Sequence, residues 1–230
     1  MDLPSPDNPN EDQALLVQAR NEISRALKHG TASDPRLVEA LASRLATIRV
    51  DVPEQIRLML DAVRFCYLSG HAFAGLPIAQ LARSLATESA NANATLDSLL
   101  LIGVCAADTG GLPTAMEAYA DALRLAKVGG DAFREGKVWQ NLGVALMYGG
   151  LYSEAISCFE CEIAKAEHEP RLRALVGGAY GNIALCRLNL DDIRNGLIAI
   201  EKAVALAVDS NTAESALNRV ITENNYTTNA

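Results

Sequence analysis

Apolar residues in this chain recur at i, i+3, i+4 and i+7 in a series of short stretches, each closed by glycine or a polar cluster, and that period is the mark of amphipathic helices. The stretch from 139 to 166, WQNLGVALMYGGLYSEAISCFECEIAKA, shows it most completely. Trp139, Leu142, Gly143 and Leu146 share one face of a first helix, Gly149-Gly150 breaks the period, and Ala155, Phe159 and Glu162 share a face of a second helix, with Ile156 and Ile163 beside them. A residue without Cβ adopts positive φ at no steric cost, so the glycine pair predicts a tight turn. Gly143 and Ala155 let the two backbones approach, while Trp139 and Phe159 fill the space around the crossing. Such a hairpin has an apolar face that it cannot bury alone.

Shifting the chain against itself by about 40 residues repeats the pattern. Ile102, Gly103, Ala115, Tyr119 and Ala122 match Leu142, Gly143, Ala155, Phe159 and Glu162. Downstream, Tyr180, Ile183, Ala184, Gly196, Ile200 and Ala203 follow it, with Asn182 in the place of Asn141; upstream, Met59, Ala62, Val63, Gly70, Gly75, Ala79 and Ala82 follow it more loosely. The pattern W-x2-L-G-x2-[YL]-x3-G-x-Y-x2-A-x3-F resembles the tetratricopeptide repeat (TPR), whose unit of about 34 residues is shorter than the one here. The resemblance implies an all-α fold, a right-handed α-solenoid of stacked antiparallel helical hairpins. Units of this greater length look like the TPR regions of bacterial signalling proteins, such as those linked to diguanylate cyclases or found in peptide-sensing and LuxR-type regulators.

The expected organisation begins with a polar leader over residues 1–11, which holds three prolines, and an N-terminal capping hairpin or degenerate repeat over 12–50. Four repeats follow at 53–90, 93–129, 131–169 and 171–209. In the first, Pro77 lies within the second helical pattern, and the echo of Gly75-Leu76-Pro77 in Gly111-Leu112-Pro113 favours a late start near Gly75. Residues 212–230 read as the first helix of a further, truncated repeat, through Ala216, Leu217, Val220 and Ile221. The expectation is therefore the N-terminal part of a larger protein, with any output domain beyond Ala230.

Composition and charge narrow the partners. Half the residues are apolar but only 5% are aromatic, a balance that suits helices. The formal net charge of −8 argues against nucleic acid, whose non-specific binding needs a basic face, and against an anionic membrane. No basic-then-apolar leader marks a secretory signal, and the longest apolar run, Leu99 to Ala107, is far shorter than the roughly 20 residues of a membrane span. The expected location is cytoplasmic.

Candidate chemistry is thin. Cys158 and Cys161 share a helix face, but mid-helix, away from the helix N-terminus that lowers a thiol pKa, and no second pair completes a zinc site. Cys105 and Cys186 occupy the repeat position of Ala145, a packing slot, where a free cysteine acts as a small hydrophobe. His29, His71 and His168 are scattered. Carboxylate pairs such as Asp191-Asp192 begin helices, where they cap. There is no Gly-rich phosphate loop, GxSxG or HExxH, so the reading is not an enzyme, without cofactor or metal.

What remains is a surface, and the TPR resemblance implies which one. In that family the first helices line the inside of the superhelix, with positions two, five, nine, twelve and thirteen facing a groove. Carried over by register, these are Arg57, Leu60, Arg64, Tyr67 and Leu68; Asp97, Leu100, Val104, Ala107 and Asp108; Lys137, Gln140, Val144, Met147 and Tyr148; and Gly178, Gly181, Leu185, Leu188 and Asn189. So apolar a wall points to a peptide or partner helix, with Tyr67, Met147 and Tyr148 as anchors and Arg64, Gln140 and Asn189 fixing polar groups. Alternatively the groove packs on itself. Gly177, Gly178 and Gly181 thin one wall in either case. The chaperone-tail clamp of some TPR proteins is set aside, because its asparagine at position nine is here Val104, Val144 or Leu185. A homodimerisation module and, behind it, a small-molecule receptor stay as alternatives.

Overall fold

A computed structural model describes residues 51–209, together with Asn21. The expected leader at 1–11, the hairpin at 12–50 apart from that one residue, and the half-hairpin at 212–230 lie outside the described residues. Among those described, all regular structure is helical: α1 (Val52–Leu68), α2 (Ala72–Glu88), α3 (Ala92–Asp108), α4 (Leu112–Val128), α5 (Ala132–Tyr148), α6 (Tyr152–Ala166), α7 (Arg173–Asn189) and α8 (Ile193–Asp209), with a 3-10 turn at Pro170–Leu172 before α7. The chain divides within α4 into two compact units, Met1–Leu125 and Ala126–Ala230.

Each helix pair is joined by the same short turn. After α5 it forms a Schellman motif: the Gly150 N–H donates to the Met147 carbonyl at 3.0 Å and the Leu151 N–H to the Leu146 carbonyl at 2.9 Å. Gly150 carries the left-handed conformation, at φ 75°, whereas Gly149 is at an ordinary −76°, so the turn needs only the second glycine of the pair. The alternative to glycine is strain: Asp191, in the equivalent turn after α7, holds φ 58°.

The turn also decides where α2 begins. It runs from Ala72, not from near Gly75, and contains Pro77 as an internal residue. The expected late start is corrected for a register reason. Gly70 turns the chain as Gly110 does, so Pro77 falls sixth in its helix while Pro113 falls second in α4. The Gly-Leu-Pro echo is thus four residues out of step with the repeat. Pro77 and Phe73 both stand on the exposed side of α2.

Within each hairpin one partner at the crossing gives up its side chain. A Cβ on Gly143 would lie 2.7 Å from Phe159 Cε1, and one on Gly103 would lie 2.4 Å from Tyr119 Cε1. Fully buried Ala155 and Ala115 complete those two crossings. In the flanking pairs the small residue changes helix. Gly75 faces Val63, with a Cβ there 3.4 Å from Val63 Cγ1, and Gly196 lies against Ala184, with a Cβ there 3.5 Å from its carbonyl oxygen. The core of the second unit builds outward from Phe159 through Leu146, Ile156, Ala179, Ile183 and Cys186, with Trp139, Leu142 and Tyr180 packed against it. Each large apolar side chain removed from water there stabilises by about 1.5–3 kcal/mol.

Candidate functional site

The first helices of the hairpins, α1 and α3 in the first unit and α5 and α7 in the second, carry the positions expected to face a ligand. On α1, Arg64 is exposed and pairs with Asp61 at 2.7 Å, Tyr67 and Leu68 are exposed, and Leu60 is buried. On α3, Val104 is half-buried and Asp108 exposed.

On α5, Lys137 is half-buried and donates to Gln140 Oε1 at 2.7 Å, Val144 is half-buried, and Tyr148 is 59% exposed. Met147 is a correction. It is only 7% exposed and belongs to the core cluster, so it packs the hairpin instead of anchoring a ligand. One residue is about 100° of helix rotation, and that step turns Met147 inward while Tyr148 faces out. On α7, Gly178 is exposed, Gly181 and Leu185 are half-buried, and exposed Asn189 donates its amide to the Leu185 carbonyl at 2.9 Å. That bond ties Asn189 to its own helix.

One residue that sequence reasoning assigned only to packing carries the most unusual environment. Glu162 on α6 is fully buried, and neither carboxyl oxygen has a hydrogen-bond partner. Burial pushes its carboxyl up to about 8, with Lys137 pulling the other way. The signal in the sequence was a carboxylate in a slot that is alanine elsewhere, at Ala82, Ala122 and Ala203. Nearby Glu135 is also buried, but it pairs with Lys165 at 2.8 Å.

The cysteines divide by burial. Cys158 is buried and its thiol is pushed up to about 11, chiefly by that burial, and Cys105 is pushed up to about 12 for the same reason. Thiols held so far above neutrality are not nucleophiles at pH 7. Cys161 is exposed. Among the described residues no group of three or more His, Cys, Asp or Glu is placed to hold a metal ion.

These helices and crossings define a class: the chain has the fold of TPR-like helical-repeat proteins. No protein-family profile matches it, and no curated protein matches it. Solved structures do. The BtubC (BKLC) structure from P. vanneervenii is similar over 88% of this chain and 92% of its own, with TM-score 0.63 and 14% identity. Aspartyl phosphate phosphatase F from Bacillus subtilis is similar over 88% of this chain, with TM-score 0.71 and 17% identity. A Rap protein complexed with Competence and Sporulation Factor is similar over 80% of it, with TM-score 0.68 and 14% identity. The match spans about half of each of the last two chains, 52% and 51%. No helix among the described residues is long and apolar enough to cross a membrane.

Proposed function

We propose that this chain is a non-catalytic TPR-like scaffold, a sensory or regulatory module that binds a peptide or partner helix on the exposed faces of its first helices. The observation that carries the reading is the outward placement of large apolar side chains at the ends of those helices. Tyr67 and Leu68 close α1, Tyr148 closes α5 and Leu188 lies near the end of α7, all exposed. In each unit taken by itself, a rigid aromatic side chain shares a first helix with a polar group, Tyr67 with Arg64 on α1 and Tyr148 with Gln140 on α5, an arrangement suited to an amphipathic peptide. The Rap protein complexed with Competence and Sporulation Factor lends the fold a precedent. A role in bacterial signalling is the finer form of the proposal.

The test is selection of a random dodecapeptide library displayed on phage against the full chain. The expected result is a recurrent apolar motif that Tyr148→Ala weakens by about tenfold or more, the usual cost of truncating an aromatic anchor. Failure to enrich any motif over a heat-unfolded control would overturn the reading.

A second reading, homodimerisation, rests on α8, whose Ile193, Leu197, Ile200 and Val204 are exposed. Preceding α6 buries Ile156 and Phe159 at the positions of Leu197 and Ile200.

A further inference from the structure

Three observations in the second unit converge on Glu162. The first is that a fully buried carboxyl with two unpartnered oxygens lowers stability. The other hairpins place alanine in this slot, so the helix crossing does not require it.

The second is the bareness of part of α7, the helix that packs against α6. Gly178 and Gly181 occupy on α7 the register positions of Lys137 and Gln140 on α5. A Cβ on Gly178 would meet nothing within 4 Å, and one on Gly177 nothing nearer than 3.9 Å. Where α5 offers a lysine, α7 offers open space at Gly178.

The third is the charge inventory. Lys137 acts on Glu162 through its charge, and its ammonium also donates to Gln140 at 2.7 Å. Of the other charged groups on α6 and the elements against it, Glu154 and Glu160 are exposed on α6 itself, while Glu135 pairs with Lys165 at 2.8 Å, Arg134 with Asp131 at 2.7 Å, Arg171 with Glu169 at 2.9 Å and Arg187 with Asp192 at 3.0 Å. Arg173 is exposed at the start of α7, and the Tyr180 ring lies under Lys202, 5.1 Å from its centroid.

We propose that Glu162 is the anionic seat of a subsite for one aliphatic cation, the basic side chain of a bound peptide, entering over Gly178 and Gly181. This rests on the peptide-binding reading of the same helices. In the empty protein the carboxyl is closed off, so entry requires a side-chain shift between α5 and α7. The proton balance is simple: the neutral carboxyl and R–NH3+ become a carboxylate paired with R–NH3+, and one proton leaves to solvent. Because the empty site titrates near 8, binding at pH 7 releases close to one proton and binding above pH 9 releases almost none. The net charge of −8 favours such a ligand over an acidic one.

The experiment uses the full chain and two probes. n-Butylammonium chloride, against sodium chloride at equal ionic strength and n-butanol as the neutral control, is followed by carboxyl-carbon NMR, with Glu162→Gln assigning the resonance. The expected result is a Glu162 midpoint that falls well below neutrality with saturating butylammonium alone, and a Gly178→Leu variant in which Glu162 still titrates but no longer responds. A midpoint that butylammonium leaves in place overturns the proposal. In the phage selection, wild type is expected to enrich a basic residue that Glu162→Ala does not. Replacing that residue by norleucine should weaken binding about thirtyfold or more in wild type and leave Glu162→Ala unaffected. If both proteins select the same motif, the cation subsite fails and the peptide surface stands. If no peptide is selected but butylammonium still moves the midpoint, the peptide surface fails and the site is one for free amines.

Discussion

Glu162 sets the clearest expectation at the scale of a residue, because burial raises its carboxyl and thereby fixes the sign of the pH dependence. The unfolded chain ionises it near the ordinary 4.5 and the folded chain near 8. The folded state is favoured while the group is neutral, so this contribution is complete below the unfolded value and is lost as pH rises through the folded one. The loss amounts to roughly 4–5 kcal/mol across that window. Glu162→Ala restores the residue of the other hairpins and removes the dependence. Urea melts at pH 5 and pH 9 should show the variant gaining on wild type as pH rises; parallel curves would mean that the carboxyl is solvated. Gly143 gives a second, steric expectation. Leucine there must displace Phe159, at a cost of about 1–3 kcal/mol or more, and Phe159→Leu in the same chain should recover part of it. An unchanged melting temperature for Gly143→Leu would place the crossing elsewhere. The two residues differ in how far the sequence reveals them. A glycine amid periodic apolar residues reads as a close approach, since little else explains it. A glutamate on the packing face of a helix, in a slot that is alanine elsewhere, reads only as part of the crossing, and side-chain packing from neighbouring helices is needed to show that both its oxygens are left without partners.

At the scale of an element, turns and caps govern where helices start. Asp131 caps α5, its side chain accepting from the Arg134 N–H at 2.9 Å, and that bond, ahead of the Arg134 guanidinium, holds the carboxyl below the ordinary carboxylate range. The cap's stabilisation is therefore present above the ordinary value and lost as pH falls through the lowered one. Asp131→Ala should cost about 1 kcal/mol at pH 7, shrinking toward zero in strong acid, as thermal melts at the two pH values would show; an equal cost at both would assign the effect to something other than the charged cap. Asn91 caps α3 in the same way, at 3.1 Å. The all-helical, TPR-like fold is legible from this level because small residues, aromatic fillers and turn glycines agree on one register. Two details escaped it. The Gly-Leu-Pro echo was a local coincidence that competed with the turn glycines and misplaced the start of α2. Met147 and Tyr148 are neighbours in a position count borrowed from shorter repeats, and the one-residue step of about 100° between them decides which meets water.

At the scale of the whole molecule the question is whether peptide binding and self-association use one surface or two. Leu197 and Val204 are 53% and 56% exposed on α8, whereas the peptide surface proposed for this unit lies on α5 and α7. An apolar helix face of that kind associates with a second copy when nothing else covers it. Aspartate at both positions places two charges on that face and leaves Tyr148, Gln140 and Glu162 untouched. The substituted side chains are already in water, so the effect on folding should stay within about 0.5 kcal/mol per site. Sedimentation of wild type across a hundredfold range of concentration is expected to show a rising mass, and the Leu197→Asp, Val204→Asp chain a constant monomer mass. The same variant should still select the wild-type peptide motif, since the ends of the first helices are intact. Loss of both properties together would merge the two surfaces into one, and exposed Tyr148 of α5 would then be part of a dimer interface that a peptide merely imitates.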